Sequence, residues 1–464
     1  MAPPTLVWFR RDLRLSDNPA LAAAAQSGAV IPVFVLDPET EALGAAVKWR
    51  LGLGIAAFRE TLRAAGSDLV LRRGPAAETL TTLARETGAG TVHWSRSYAP
   101  EAVKRDAAVE GTLGEAGVAT VSHAGQYLHE PGTVLTKAGE PYRVFTPFWN
   151  AIGPRGADAP LAPPAALLRP RAWPASDALE DWSLGRAMDR GAAVVAAHVR
   201  VGEAAASDRL DDFIRGGLAD YGRGRDRPDR DGTSGLSENL AYGEISPRTV
   251  WHAVAQAGAE GVSGSDGFLR ELGWREFAGH LLWHWPDLAT QNWRREWDAF
   301  PWRPDNADAE RWRRGQTGEP MVDAGMRQLF VTGTMHNRVR MLAASYLTKH
   351  LMTDWRVGQA WFEDCLIDWD PASNALNWQW VAGPGPDAAP YFRVFSPDRQ
   401  AERFDPDGSY RRYWTEEAGA AAFLKAAPRS WRLGADAEPP RPIISHAEGR
   451  QRALAAYERF SKEA

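Results

Sequence analysis

The sequence predicts an α/β domain followed by an all-α domain: a doubly wound parallel sheet in residues 1–150, a linker over 151–192 and a helical domain over 193–464. Three observations predict it. β-rich apolar runs alternate with amphipathic stretches through the first 150 residues. A proline-, alanine- and arginine-rich segment without periodicity follows, and beyond about Ala193 strand signals vanish. At 464 residues the chain is long enough for two or three domains with a large core.

In order, LVWF (6–9), AVIPVFVLD (29–37), DLVLRR (68–73), TVHWS (91–95) and VATVSH (118–123) read as buried strands. Pro19–Ser27, Ala45–Ala65, Ala76–Thr87 and Glu101–Glu115 read as the helices between them, and strand–helix alternation at this spacing implies a parallel sheet. No GxGxxG follows a strand; Gly52 and Gly54 lie inside a helical run, so a large cofactor belongs elsewhere. Residues 153–180 read as an extended surface linker. Segments 193–220, 246–258, 266–284, 307–315, 321–332, 336–352, 356–366, 372–382 and 447–462 read as helices punctuated by Gly, Pro and Asp.

Apolar residues make up 44% and charged residues 24%, as in an ordinary globular protein. The single cysteine, Cys365, excludes an internal disulfide, and without a CxxC or Cys/His cluster no metal site is expected. The N-terminal run MAPPTLVWFRRDLRL is too short for a signal peptide or a membrane span. The expectation is a cytoplasmic monomer with no membrane partner. The net charge of −5 does not advertise nucleic acid. Arginines nevertheless cluster at 223, 225, 227 and 230 and at 311, 313 and 314; such runs bind phosphate or simply solvate a surface.

Twelve of the 21 tryptophans fall between residues 270 and 380. In that region Asp323, Asn337, Arg338, Arg340, Asp368, Asp370 and Asn374 interleave with Trp355, Trp361, Trp369, Trp378 and Trp380. The pattern suits a planar, hydrogen-bonding ligand such as a fused-ring cofactor or a nucleobase, or else an aromatic core with capped polar groups. Upstream, Thr233, Ser234, Gly235, Leu236 and Ser237 form a small, hydroxyl-rich turn that either cradles phosphate or caps a helix. Phe268, Glu271 and Arg275 share a helical stripe with Trp274 beside it, which predicts a structural Glu271–Arg275 pair. Asn337, Arg340 and Met341 share one side of a helix, with Arg338 about a hundred degrees round. Opposite charge makes Asp368 a candidate partner for Arg340. Asp370, before Pro371, is an acceptor for a ring N–H, half of a metal-binding pair, or an Asx-turn cap, the cap being favoured by spacing.

Taken together, RRDLRLSDNPAL (10–21), PYRVFTPFW (141–149), GTSGLSENLAYGEISPR (232–248), LGWREF (272–277), GEPMVDAGMRQL (318–329), MHNRVRM (335–341), LIDWDPASNALNWQW (366–380) and PDAAPYFRVFSP (386–397) resemble the DNA photolyase and cryptochrome family, in order and over nearly the whole chain. Within it they are most similar to the class I branch acting on cyclobutane pyrimidine dimers. The resemblance implies a helical domain holding FAD, with Tyr221, Thr233, Ser234, Leu236 and Ser237 at its phosphates. Phe268, Arg275, Asn337, Arg340, Asp368, Asp370 and Asn374 would surround the rest, Asn374 facing flavin N5. Trp378, Trp355 and Trp302 match the family's electron relay. Trp274 and Trp380 match the walls around an extruded lesion, Glu271 and Met341 further lesion contacts, and Arg225 and Arg338 the contacts to ultraviolet-damaged DNA.

The chain departs from close relatives at Phe268 and Thr334, where Trp is common, and over NALN (374–377). The family also implies a second, antenna chromophore: a folate, a deazaflavin or another flavin. YAPEAVKRD (98–106) lacks the Asn-Glu pair of the folate type. Two rivals share the scaffold, a light sensor and a (6-4) photoproduct enzyme. Asn374 and the short tail after Lys462 argue against the first, and Asn337 and Met341, where (6-4) enzymes carry histidines, against the second.

Overall fold

Strands that are apolar at every position must be covered on both faces, and the first two are. β1 (Thr5–Phe9) and β2 (Val30–Leu36) are buried throughout. With β3 (Val70–Arg73), β4 (Thr91–Ser95) and β5 (Ala119–His123) they form one sheet of order β3-β2-β1-β4-β5, every pair parallel. The computed structural model that shows this describes residues 3–188, 190–387, 392–434 and 439–463. Part of the PDAAPYFRVFSP motif, residues 388–391, lies outside them. β5 is not the buried strand expected: it has one neighbour, and its outer face leaves Val121 39% exposed.

The order reverses between β1 and β4, where such sheets open a crevice at the strands' carboxyl ends. Side chains of the chain itself fill it. Arg10 pairs with Asp106 at 2.5 Å, Arg105 with Asp37 at 2.8 Å, and Ser95 donates to Asp12 at 2.7 Å. The linker is extended, as expected, and tied to the sheet. Val30 N–H donates to the Leu168 carbonyl at 2.9 Å, and Asp177 N–H to that of Leu71 at 2.9 Å.

The second domain is helical throughout its described residues, with three differences from expectation. The 193–220 segment is two helices, Ala192–Ala196 and Glu203–Gly216, because Gly202 at φ 95° breaks the run. The 336–352 segment is the Asn337–Ser345 helix continued by a wider π-helical turn, Tyr346–His350. Pro397–Phe404, Ser409–Thr415 and Ala418–Ala426 are additional helices, too short to show a period, held by burying Phe404, Tyr410, Trp414 and Phe423. Among the described residues no helix is long and apolar enough to cross a membrane.

Candidate functional site

A cavity of about 550 Å³ opens in the helical domain, a size suited to a large organic ligand. Three local devices aim its side chains. The left-handed Gly235 (φ 62°) turns the 233–237 loop so that Thr233, Ser234, Leu236 and Ser237 all reach the wall. His336 caps the Asn337–Ser345 helix, its Nδ1 accepting from Arg338 N–H at 3.2 Å, and helical spacing then brings Asn337, Arg340 and Met341 to the cavity. Asp370 caps the Pro371–Ala382 helix, its Oδ1 accepting from Ser373 N–H at 2.8 Å, which directs Asn374 and Trp378 inward. The cap favoured by spacing is present, and Asp370 also lines the cavity.

At the centre, Arg340 Nη2 and Ser237 Oγ both donate to Asp368 Oδ2 at 2.8 Å. The other oxygen of Asp368, Oδ1, is buried with no hydrogen-bond partner, and so is the Trp369 indole N–H. Leaving a buried carboxylate oxygen unpaired is costly, and a ligand N–H or O–H would relieve it. Asn374 donates to the Gln359 carbonyl at 3.2 Å, which orients its amide on the wall. Burial pushes His336 down to about 4, so the imidazole is neutral near pH 7. Among the described residues no three His, Cys, Asp or Glu side chains gather as a metal site.

The remaining predicted residues lie outside the cavity lining. Tyr221 and Phe268 pack edge to face at 5.4 Å in the core beside Phe213. The expected Glu271–Arg275 pair does not form. Glu271 accepts instead from Arg225 at 2.6 Å, while Arg275 turns away to the Gln126 carbonyl at 2.8 Å and the Tyr127 ring. An adjacent loop arginine and a free carbonyl offer better geometry than the neighbour one turn along. Trp274 stacks on Phe145, centroids 3.7 Å apart. Trp380 donates to the Asp387 carbonyl at 3.0 Å, and the Asp387 carboxylate accepts from Phe145 N–H at 3.4 Å, so both indoles belong to one aromatic wall.

Trp378 borders the cavity under Gly358, where a Cβ would collide with the indole. Trp355 is fully buried and donates to Asn292 at 2.8 Å, while Trp302 is half-buried against Phe300. The arginine cluster is compensated locally. Arg223 pairs with Asp220, Arg227 with Asp229, and Arg338 with Asp226, each at 2.7 Å. At the second cluster Arg313 and Arg314 pair with Glu310, a structural role.

The lining also includes Arg209, Glu238 and Gln328, which sequence reasoning did not single out, together with Trp369, one of the tryptophans that interleave with the polar residues. Trp369 had a signal, standing between the two aspartates. Arg209 had none, since it arrives from a distant helix.

The family model described as the FAD binding domain of DNA photolyase matches residues 268–459, and that described as DNA photolyase matches residues 5–166. The deoxyribodipyrimidine photo-lyase of Agrobacterium fabrum is 47% identical over 99% of this chain and 98% of its own. Cryptochrome-2 of Arabidopsis thaliana is 34% identical over 93% of this chain and 72% of its own. The crystal structure of a bacterial class III photolyase from Agrobacterium tumefaciens superposes with a TM-score of 0.91 at 46% identity, covering 100% of this chain and 98% of that one.

Proposed function

The chain belongs to the DNA photolyase and cryptochrome family, and on that footing we propose that it repairs cyclobutane pyrimidine dimers in DNA under light, with FAD held in the 550 Å³ cavity. The unpartnered Oδ1 of Asp368, beside Arg340 and Ser237, carries this reading: it is a built acceptor awaiting a donor. The neighbour at 46% identity is a class III enzyme, so the motif-based expectation of class I has no counterpart in it.

When bound, FAD supplies the light-driven electron that splits the dimer. The protein's part is binding, orientation and dryness. Thr233 and Ser234 offer hydroxyls to the phosphates, Ser237 holds Asp368 in place, and Arg340, Asp368 and Asn374 fix the ring system. Trp378 on the cavity wall, buried Trp355 and half-buried Trp302 serve as the relay that resupplies electrons. A dimer is poorly stacked, so extruding it costs only a few kcal/mol, and Trp274, Trp380 and Met341 receive it. Arg338 and Arg225 reach flanking phosphates by exchanging Asp226 and Glu271 for the backbone.

Asn337 and Met341 on the cavity wall offer no acid, which favours the cyclobutane lesion. A (6-4) adduct needs a proton donor, and the His336 imidazole, titrating at about 4, is unprotonated at neutral pH. We also place a second chromophore, a folate, deazaflavin or flavin, where the two domains meet. There buried Glu276 accepts from Leu128 N–H at 2.8 Å, while its Oε1 has no hydrogen bond and stands 3.7 Å from the Arg275 guanidinium. The same reading takes the protein to be a cytoplasmic monomer. Purified protein, reduced and mixed with ultraviolet-irradiated DNA, should remove dimers under blue light and not in the dark. Flavin-bearing protein without light-dependent repair would favour the light-sensor reading.

A further inference from the structure

One buried ion network runs from the α/β domain to the loop assigned to the cofactor phosphates. Arg50, on the Ala45–Ala64 helix, is wholly buried. Its Nη1 and Nη2 donate to the two oxygens of Glu244 at 2.9 and 2.7 Å, and its Nε donates to Glu238 Oε1 at 2.5 Å. Glu238 Oε2 accepts from both terminal nitrogens of Arg209 at 3.0 Å. Arg209 Nη1 in turn donates to the Gly235 carbonyl at 2.6 Å and to Asn239 Oδ1 at 2.8 Å. The Asn239 amide closes the ring on Glu244 Oε2 at 2.7 Å.

Two guanidinium groups face two carboxylates, so the network balances, and each member leaves the others short of a partner if removed. Arg209, Gly235 and Glu238 line the cavity; Arg50 and Glu244 do not. Gly54, one turn beyond Arg50, makes room for the network: a Cβ there would stand 3.2 Å from Glu244 Oε1 and 3.4 Å from Arg50 Nη1. Arginine is required at position 50 because only its planar fork holds one carboxylate two-point while its Nε reaches a second.

We propose that Arg50 is a positioning residue for the cofactor: through Glu238 and Arg209 it fixes the Thr233–Ser237 loop, so the α/β domain sets FAD affinity without touching FAD. The inference rests on the assignment of the cavity to FAD. A loop held by a buried fork is pre-ordered and loses less freedom on binding, which strengthens affinity and slows release.

The test is an FAD titration of flavin-stripped full-length protein, with circular dichroism at the same temperature to confirm the fold. Arg50→Lys keeps a charge but cannot make the three contacts. It should weaken FAD binding at least tenfold and speed flavin release. Arg59→Lys is the control, since Arg59 lies on the same helix and pairs only with Asp68, at 2.8 Å; it should bind FAD as the wild type does. If Arg50→Lys does not fold, Glu244→Gln, which touches Arg50 and Asn239 but not the cavity, should weaken binding several-fold. Wild-type affinity in folded Arg50→Lys or, in its place, Glu244→Gln, or equal weakening in Arg59→Lys, overturns the inference alone. Wild-type protein that takes up no FAD overturns the functional reading as well.

Discussion

Arg340 holds one oxygen of Asp368 at 2.8 Å and leaves the other buried without a donor. The pair is therefore half-built: the guanidinium fixes the carboxylate, and the unpaired oxygen selects a ligand that presents an N–H or O–H. Asp368→Asn would leave Arg340 without its counter-charge and put an amide where the acceptor stands. A hydrogen bond to a charged group contributes about 1.5–3 kcal/mol, so FAD affinity should fall about tenfold or more. Equilibrium titration with FAD checks this, and unchanged affinity would remove Asp368 from the site.

Trp378 borders the cavity whereas Trp302 is half-buried, so loss of Trp378 should cut the relay at its inner end. Trp378→Phe should abolish photoreduction of oxidised FAD and leave repair intact once the flavin is reduced chemically. Absorbance under steady illumination, with a repair assay in dithionite, separates the two. Photoreduction at the wild-type rate would mean that electrons enter by another route.

Arg338 is paired with Asp226 at 2.7 Å in the protein without DNA, so phosphate must compete with a carboxylate. Arg338→Ala should lower the dependence of log affinity on log salt by about 0.9. Asp226→Asn should act in the opposite sense and tighten binding to damaged DNA, because it releases Arg338. Fluorescence anisotropy at several salt concentrations reads both; equal slopes in wild type and Arg338→Ala would take Arg338 off the DNA.

Burial raises Glu276 to about 7, from an ordinary 4.5. A raised folded-state pKa means that the native state binds the proton more tightly. The associated stability is full below about 4.5 and is lost as pH rises through 7. Glu276→Gln removes that penalty while keeping an acceptor for Leu128 N–H. It should stabilise the apoprotein at pH 8, by at most roughly 3 kcal/mol, and change little at pH 5. Guanidinium midpoints at the two pH values measure this, and equal effects at both would show that Glu276 is not the titrating group.

Much of this site was legible because its signals are local. Pro371 preceded by Asp370 reads as a capped helix start, and the cap then fixes where Asn374 and Trp378 point. Asp368 as a candidate partner of Arg340 followed from opposite charges in two motifs, and the structure pairs them at 2.8 Å. What was hidden depends on distant contacts. Nothing in the sequence joins Arg50 to Glu238, which lie 188 positions apart. Arg275 was expected to pair one turn back along its own helix, but the Gln126 carbonyl from a remote loop claims it. Tyr221 and Phe268 fill the core beside the site and not its wall, a distinction that residue type alone does not make.

The most direct test uses two oligonucleotides, one carrying a single cyclobutane thymine dimer and the other a single (6-4) photoproduct. Each is illuminated with the reduced, FAD-loaded protein, and restored thymine is followed by chromatography against a dark control. Light-dependent restoration of the cyclobutane substrate alone is the predicted result. Restoration of the (6-4) substrate, or of neither, would contradict the assignment of this cavity to dimer repair.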